Sequence, residues 1–494
     1  MTRLSGQASY VIDPVTCSIT QLAARFFSDK LTRALTKGAA KVLMEIPMEQ
    51  ASLRASLCLC AFVANRSVTR ILLMLLLFVP ASAQELTVIR AGRLIDVERG
   101  DVVHDKVIFI RGDKIEKIAS PRATEIPAGA RVIDLSKYTV LPGLIDCHTH
   151  LIDLPQSSGP GAPLEQSPAQ MAFNGARNAK KTLLAGFTTV RDVGTYRAYV
   201  DIALRDAIND GTVLGPRMAV AGAYITVSSG GGDITGLSPD IVLPPDLRAG
   251  IANSPTEVRQ RVREILHRGA DFIKIIATGA VLTRGTKPGV SEFTEEEIRA
   301  AVEEAAKYGA RVTAHAHGAE GIKNAVRAGV QSIEHGSLID DEGIRLMKER
   351  GTFLVADIYN GDYIAENYKR LGYPDEFIRK NEETTEAQRA GFRKAVAAGV
   401  KIAYGTDAAV YPHGDNARQL PYMVKYGMTP VAAIQSATIN AARNIGWENR
   451  VGSIAPGKFA DIIAVEGDSL SDLSKFMNVA FIMKGGQVIK TPEK

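Results

Sequence analysis

Apolar and polar positions alternate along Leu86–Asp96 and again from Lys106 onward, with Gly-Asp turns between them. This period of two predicts short antiparallel strands. The C-terminal end carries matching material: Gly457–Val465 reads as a strand and Val479–Ile489 as a hairpin around Gly485-Gly486. β segments at opposite ends of a chain can pair. Residues 84–142 and 453–494 are therefore expected to form one small β-sandwich domain, with residues 143–452 inserted between its halves. Inside the insertion the pattern changes to eight apolar runs, mostly separated by helical or loop segments. They are Gly143–His150, Phe187–Gly194, Arg217–Tyr224, Phe272–Gly279, Arg311–Gly318, Ser332–Ser337, Thr352–Tyr359 and Lys401–Ala408. Ser291–Tyr308 and Glu382–Ala398 have amphipathic helical spacing, and the first begins with acidic residues, as suits a helix N-terminus. Eight strand–helix units predict an α/β fold, a (β/α)8 TIM barrel. No solenoid repeat or low-complexity tract interrupts it.

At 494 residues, 46% hydrophobic, the chain can bury a large core in more than one domain. A formal charge of +5 would suggest a nucleic-acid or membrane partner. All of it resides in residues 1–83, which hold nine Lys+Arg and four Asp+Glu, so the remainder is neutral. No basic stripe interleaved with aromatics is visible, and no nucleic-acid partner is expected. Residues 66–83 pair a basic start (Arg66, Arg70) with a short apolar run (Ile71–Val79) and the small-x-small triplet Ala81-Ser82-Ala83. This is a signal-peptide pattern, with cleavage expected after Ala83 and a periplasmic or secreted product. The alternative, a membrane anchor, needs about 20 apolar residues, more than this run supplies. No membrane attachment is expected after cleavage. Residues 1–65 are expected to be an extension absent from the mature protein. Of four cysteines only Cys147 follows residue 83, so the mature chain would form no internal disulfide.

In a barrel, working groups project from the C-terminal ends of the strands. Five runs end here in metal-competent side chains: His148 with His150, Lys274, His315 with His317, His335, and Asp407. The sequence has eight histidines, so five at strand ends is a strong concentration. His148 and His150 are two residues apart on a strand, so both face one side and can share a metal ion. His315 and His335 would complete a second site, leaving His317 as a substrate contact. Asp407 can ligate the first ion and accept a proton from a bridging water. Lys274 lies among isoleucines, where a buried cation is costly. Two readings follow: the side chain snorkels to solvent, or its amine is carboxylated by CO2 and becomes an anion able to bridge two metals.

These residues, in this order, resemble the amidohydrolase superfamily. The likeness runs from Pro142-Gly-Leu-Ile-Asp-Cys-His-Thr-His through Gly186-Phe-Thr-Thr-Val-Arg-Asp to Gly457-Lys-Phe-Ala-Asp. Phe272-Ile-Lys-Ile, Ile333-Glu-His-Gly and Thr438-Ile-Asn-Ala-Ala resemble its prolidase-like and Xaa-Arg/Lys dipeptidase subgroup, which includes ochratoxin-hydrolysing, carboxypeptidase-like enzymes. The resemblance implies N6-carboxylysine at Lys274 bridging two divalent ions, usually zinc. His148, His150 and Asp407 would hold one, and His315 and His335 the other. It implies hydrolysis of dipeptides or N-acyl amino acids by a metal-bridging hydroxide, with Asp407 as proton shuttle, in a homo-oligomer. A substrate carboxylate would need donors, for which His317, Tyr224, Arg284 and Tyr359 are the candidates. One departure stands out: the family often carries Gly-Gly-His-Gly-Asp where this chain has Ser229-Gly230-Gly231-Gly232-Asp233. Rival readings are a cyclic-amide, imidazolone or lactone hydrolase, a deaminase, and a metal- or ligand-binding protein without turnover.

Overall fold

Both ends of the chain meet in one sheet. The computed structural model describes residues 85–158 and 161–492, all within the unit Gln84–Lys494. The signal-peptide reading and the extension of residues 1–65 lie outside the described residues. Strands β1 (Leu86–Asp96), β2 (Asp101–Arg111), β3 (Lys114–Ala119) and β4 (Arg131–Pro142) come from the N-terminal side. From the other end come β14 (Ile462–Glu466), β15 (Phe481–Lys484) and β16 (Gln487–Lys490). They form a seven-stranded sheet in the order β16-β15-β14-β4-β1-β2-β3. The seam between the two chain ends is the antiparallel pair β4–β14, with Ile462 opposite Pro142. The β15–β16 turn is made by Gly485 and Gly486, whose φ values of 55° and 75° suit glycine far better than any L side chain. Ile89, Ile108, Val140, Ile462 and Phe481 fill one apolar cluster on this sheet.

The inserted region alternates strand and helix. Its strands are β5 (Leu144–Thr149), β6 (Phe187–Asp192), β7 (Arg217–Val220), β8 (Tyr224–Ile225), β9 (Ile273–Ile276), β10 (Val312–Gly318), β11 (Ser332–Leu338), β12 (Phe353–Val355) and β13 (Lys401–Ile402). The helices between them include α1 (Pro168–Leu184), α2 (Val200–Asn209), α3 (Pro255–His267), α4 (Glu295–Ala306), α5 (Ala319–Ala328), α6 (Asp341–Arg350), α7 (Asn360–Leu371) and α8 (Asp375–Ala398). All strand pairs here are parallel, in two sheets that keep chain order, β5-β6-β7 and β8 through β13. Parallel strands are covered on both faces, which explains why the runs read as continuously apolar rather than alternating. Every residue of β5, β6, β9 and β10 is buried.

Backbone hydrogen bonds join the margins of the two sheets. Cys147 N–H donates to Tyr404 O at 2.8 Å, Asp407 N–H to His148 O at 2.7 Å, and His150 N–H to Ala408 O at 2.9 Å. At the other margin Asp271 N–H donates to Val220 O at 2.8 Å. The chain is thus a mixed α/β fold. The expected run Lys401–Ala408 pairs with β12 only at its start, through 401–402 and the Ala403 N–H to Leu354 O bond; from Tyr404 on it bonds the β5 segment and Ser436 instead. The expected run Arg217–Tyr224 is broken between β7 and β8.

Local signals account for the helices that frame the site. α4 starts with a reciprocal cap: the Thr294 hydroxyl accepts from Glu297 N–H, and Thr294 N–H donates to Glu297 Oε2 at 2.9 Å. Glu295, Glu296 and Glu297 occupy its first turn. α8 begins seven residues before the expected Glu382, directly after Pro374, and buries Phe377, Lys380 and Asn381. Among the described residues no helix is long and apolar enough to cross a membrane.

Candidate active site

At the C-terminal ends of the parallel strands the side chains predicted from separate runs converge on one cleft. It contains about 1010 Å3 of non-protein space, its open mouth included. His148, His150, Lys274, His315, His317, His335, Asp407 and Tyr224 all line it. Two other predicted contacts do not. Arg284 is exposed and lines a neighbouring depression with Phe377 and Asp233. Tyr359 packs among Tyr363, Tyr411 and Tyr422, with ring centroids 5.0–6.5 Å apart. The physical reason is that β12 stops at Val355 and the chain turns into α7, carrying Tyr359 away from the strand end.

The histidines and carboxylates form overlapping groups. His148, His150 and Asp407 offer ligand atoms within 4.8 Å of one another; so do His315, His317 and His335, and so do His335, Asp357 and Asp407. Asp407 Oδ1 lies 3.4 Å from His148 Nε2 and 3.2 Å from His150 Nε2. Three of the imidazoles are oriented by their other nitrogen. His148 Nδ1 is 2.8 Å from Glu334 Oε2, His150 Nδ1 is 2.6 Å from Gly194 O, and His317 Nδ1 is 2.8 Å from Ser337 Oγ. His335 Nδ1 sits 3.1 Å from Asp357 Oδ1, close enough for charge attraction but out of line for a hydrogen bond. His335 and Asp407 also have left-handed backbones, φ 69° and 56°. Such conformations cost a non-glycine residue about 1–3 kcal/mol and collect at functional sites.

Burial and charge polarise these groups. Burial, helped by the charge of Lys274, presses the His148 imidazolium down to about 4. Burial also pulls His150 down, but Asp407 outweighs it and lifts that ring to about 9. Lys274 is the outlier of the site. It is the second residue of β9, 2% exposed, and its Nζ has no hydrogen-bond partner. The snorkelling alternative therefore does not hold. Burial lowers its pKa to about 8, against the pull of Glu334.

Several site residues were not singled out from the sequence. Asp357 lines the cleft and accepts from Asn360 Nδ2 and Gln388 Nε2, both at 2.7 Å. Burial would raise its pKa, but the charge of His335 holds it below the usual carboxylate range. It lies two residues past β12, near the end of the run Thr352–Tyr359, as Asp407 lies near the end of its own, and the same rule would have found it. Glu334, fully buried, takes Arg191 Nη2 at 2.7 Å as well as His148. Strand alternation would point Glu334 away from its neighbour His335; the left-handed turn at His335 brings both to the same region. The Gly-rich departure also has a packing correlate. Gly231 and Gly232 line the cleft, and a Cβ at 231, where the motif's histidine would fall, would stand 2.8 Å from the Thr278 carbonyl oxygen. A histidine there is incompatible with the backbone at Thr278 as placed.

Comparison with known proteins gives this geometry a context. The amidohydrolase family signature matches residues 139–489. Ochratoxinase from Aspergillus niger is 35% identical over 430 residues, covering 83% of this chain and 87% of its own. Its crystal structure superimposes with a TM-score of 0.74 at 32% identity, over 83% of this chain and 96% of that one. A Xaa-Pro dipeptidase crystallised with methionine in its active site gives a TM-score of 0.77 at 40% identity, over 82% of this chain and all of the other. The family match spans the parallel strands, the cleft and the C-terminal strands of the terminal sheet, and the chain belongs to the amidohydrolase family, with ochratoxinase and prolidase-type dipeptidases among its relatives.

Proposed function

We propose that the chain is a binuclear metal-dependent hydrolase that releases a C-terminal amino acid from dipeptides or N-acyl amino acids. The observation that carries this reading is Lys274: a buried amine without a partner, lining the same cleft as two groups of metal-competent side chains. An uncompensated ammonium there is costly. Carboxylation removes the cation and supplies two oxygens to satisfy the neighbouring electrophiles. His148, His150 and Asp407 would hold one divalent ion, and His315 and His335 the other, with the carboxylated Lys274 shared; the nitrogen and oxygen donor set suits zinc. Bound there, such ions supply Lewis-acid polarisation and a water of lowered pKa.

The rest of the chemistry belongs to the chain. Asp407 is placed to take the proton of the attacking water and return it to the departing amine, and its Oδ2 is steadied by Asn360 Nδ2 at 3.4 Å. His317 has Nδ1 engaged by Ser337, which leaves Nε2 for substrate. Tyr224, 6.1 Å from His150 between ring centroids, offers a second donor. Among the described residues the cleft lining includes no arginine, so a substrate carboxylate is received by such neutral donors. The relatives named above act, by their names, on ochratoxin and on Xaa-Pro dipeptides, and both names fit amide hydrolysis next to a carboxylate-bearing residue.

The same proposal takes the two parallel sheets, joined by hydrogen bonds at both margins, as one (β/α)8 barrel over residues 143–452. The terminal sheet is then the β-sandwich domain of residues 84–142 and 453–494. Export with cleavage after Ala83 is part of it, as is a homo-oligomeric state. The test is metal analysis of purified protein combined with a hydrolysis screen of dipeptides and N-acyl amino acids bearing aromatic, basic and proline C-terminal residues. Two metal equivalents and release of the C-terminal amino acid are expected. Full activity in protein proven metal-free would overturn the reading.

A further inference from the structure

The carboxylates around the cleft differ in how they are satisfied. Asp407 sits against His148 and His150, and Asp357 against Asn360, Gln388 and His335. Behind the cleft, Asp192 accepts Leu151 N–H at Oδ2 at 2.6 Å while its Oδ1 is unpaired, and Asp201 accepts Gly222 N–H at 2.8 Å and Ile202 N–H at 2.9 Å. Asp153 is the exception among those that line the cleft. It is 6% exposed, and its Oδ1 has no hydrogen-bond partner.

No histidine ring hydrogen-bonds this carboxylate, although its charge helps raise His150. The backbone of Asp153 is held independently: its N–H donates to His150 O at 3.0 Å and its carbonyl accepts from Asn178 Nδ2 at 3.0 Å. His150 is oriented by Gly194 O on one nitrogen and faces Asp407 with the other, so Asp153 does not position that ring. A buried acceptor left empty costs about 1–3 kcal/mol, more when charged. The nearest arginine in sequence beyond β6, Arg197, is already paired with Asp246 at 2.7 Å. Lys274, the single lysine in the cleft lining among the described residues, belongs to the proposed metal bridge. The cation whose charge reaches Asp153 is His150, which already faces Asp407 and would be neutral as a metal ligand. The wall is completed by Tyr196 and Tyr224, edge to face at 5.7 Å, and aromatic rings beside a carboxylate suit an organic cation.

We propose that Asp153 is the counterion for an ammonium group of the substrate and so sets specificity in the hydrolysis proposed above, on which this inference rests. The ligand class is a peptide bearing a primary amine. The amine is either the free N-terminus or a lysine-type side chain, and the two sources are separable. The test uses metal-loaded full-length protein and its Asp153→Asn variant, with Asp153→Ser as a second variant should the first fold poorly. Three probes are L-alanyl-L-phenylalanine, its N-acetyl derivative, and N-acetyl-L-alanyl-L-lysine. Binding is read by calorimetry and, separately, KM and kcat by product release.

Loss of a charge-assisted contact is expected to weaken the free-amine dipeptide roughly tenfold to a hundredfold. The effect should fall on Kd and KM, with kcat nearly unchanged and the uncharged N-acetyl probe unaffected. Weakening of the acetylated lysine probe alone would assign the ammonium to the side chain and sustain the inference. Equal loss on all three probes, no loss on any, or a wild-type protein that prefers neither cationic probe to the uncharged one would overturn it. If wild-type protein turns over none of the probes, peptide hydrolysis fails as the function, while the binding comparison still decides the role of Asp153.

Discussion

Replacing Glu334 with glutamine should leave the fold standing and weaken metal binding, because of how the two carboxylate oxygens are shared. Oε1 accepts from Arg191 Nη2 and Ser332 Oγ, each at 2.7 Å, and also from the Thr313 hydroxyl; Oε2 is 2.8 Å from His148 Nδ1. Glutamine supplies one acceptor oxygen and one NH2 donor. Placing NH2 at the Oε1 position would set it against three donors, so it takes the Oε2 position and donates to His148 Nδ1. That nitrogen must then be the acceptor, and the ring proton moves to Nε2, the nitrogen facing Asp407 and the proposed ion. An imidazole protonated at Nε2 cannot ligate there. Changes of this kind behind a metal ligand typically cost 10–100-fold in affinity. On the other side Arg191, whose side chain is only 4% exposed, keeps its bonds to Cys147 O at 2.7 Å and Ser332 Oγ at 3.1 Å but loses its ionic partner. That should cost about 1.5–3 kcal/mol of stability. Metal titration against a competing chelator, with denaturant unfolding of the metal-free protein alongside, measures both. Wild-type metal affinity in a folded Glu334→Gln protein would refute the tautomer argument; a loss of stability with unchanged affinity would show that the carboxylate serves Arg191 alone.

Lys274→Met should abolish the two-metal stoichiometry yet raise the stability of the metal-free protein by about 1–4 kcal/mol, as replacing a buried charge with an apolar side chain of similar volume can do. Chelator-treated protein that unfolds more easily than wild type would count against an unpaired amine at this site. Asp407→Asn is expected to lower kcat by about 10²–10⁴ with KM little changed, checked at matched metal occupancy, and full turnover would end the proton-shuttle role. Glu304 accepts from Arg263 Nε and Lys307 Nζ, both at 2.7 Å, which together hold its carboxyl at about 2. Its contribution is present above the unfolded carboxyl range and lost as pH falls toward 2. Because Arg263 and Lys307 are half-exposed or more, Glu304→Gln should cost about 1 kcal/mol at pH 7, with the difference vanishing toward pH 2 in thermal unfolding.

What the sequence conveyed about this site depends on which physical rule placed each residue. His148 and His150 were legible because residues two apart on an extended run share a face, even though the β5–β6 ladder shifts register and His150 lies one residue past β5. The seam β4–β14 was legible because both chain ends carry strand material, although its paired residues 139–142 and 462–465 are buried throughout rather than alternating. Arg284 was not placeable. It lies in the aperiodic stretch between β9 and α4, held by bonds whose partners come from distant segments, such as Lys380 Nζ to Thr283 O at 2.7 Å and Gly285 N–H to Glu376 Oε1 at 2.8 Å. Tyr359 was misplaced by a run that looked longer than the ladder it forms.

Asp357, Glu334 and Asp153 share a different cause. Each gains its meaning from groups far away in sequence: Gln388 for Asp357, Arg191 for Glu334, and the Tyr196–Tyr224 wall for Asp153. Periodicity reports which way a side chain faces; it does not report whether a carboxylate arriving there finds a donor. That distinction separates the three once the fold is known. Asp357 and Glu334 are filled by the protein and so hold histidines in place, whereas Asp153 keeps an acceptor that the fold leaves unfilled, and an unfilled buried acceptor beside a substrate cleft is worth keeping only if something that enters the cleft fills it.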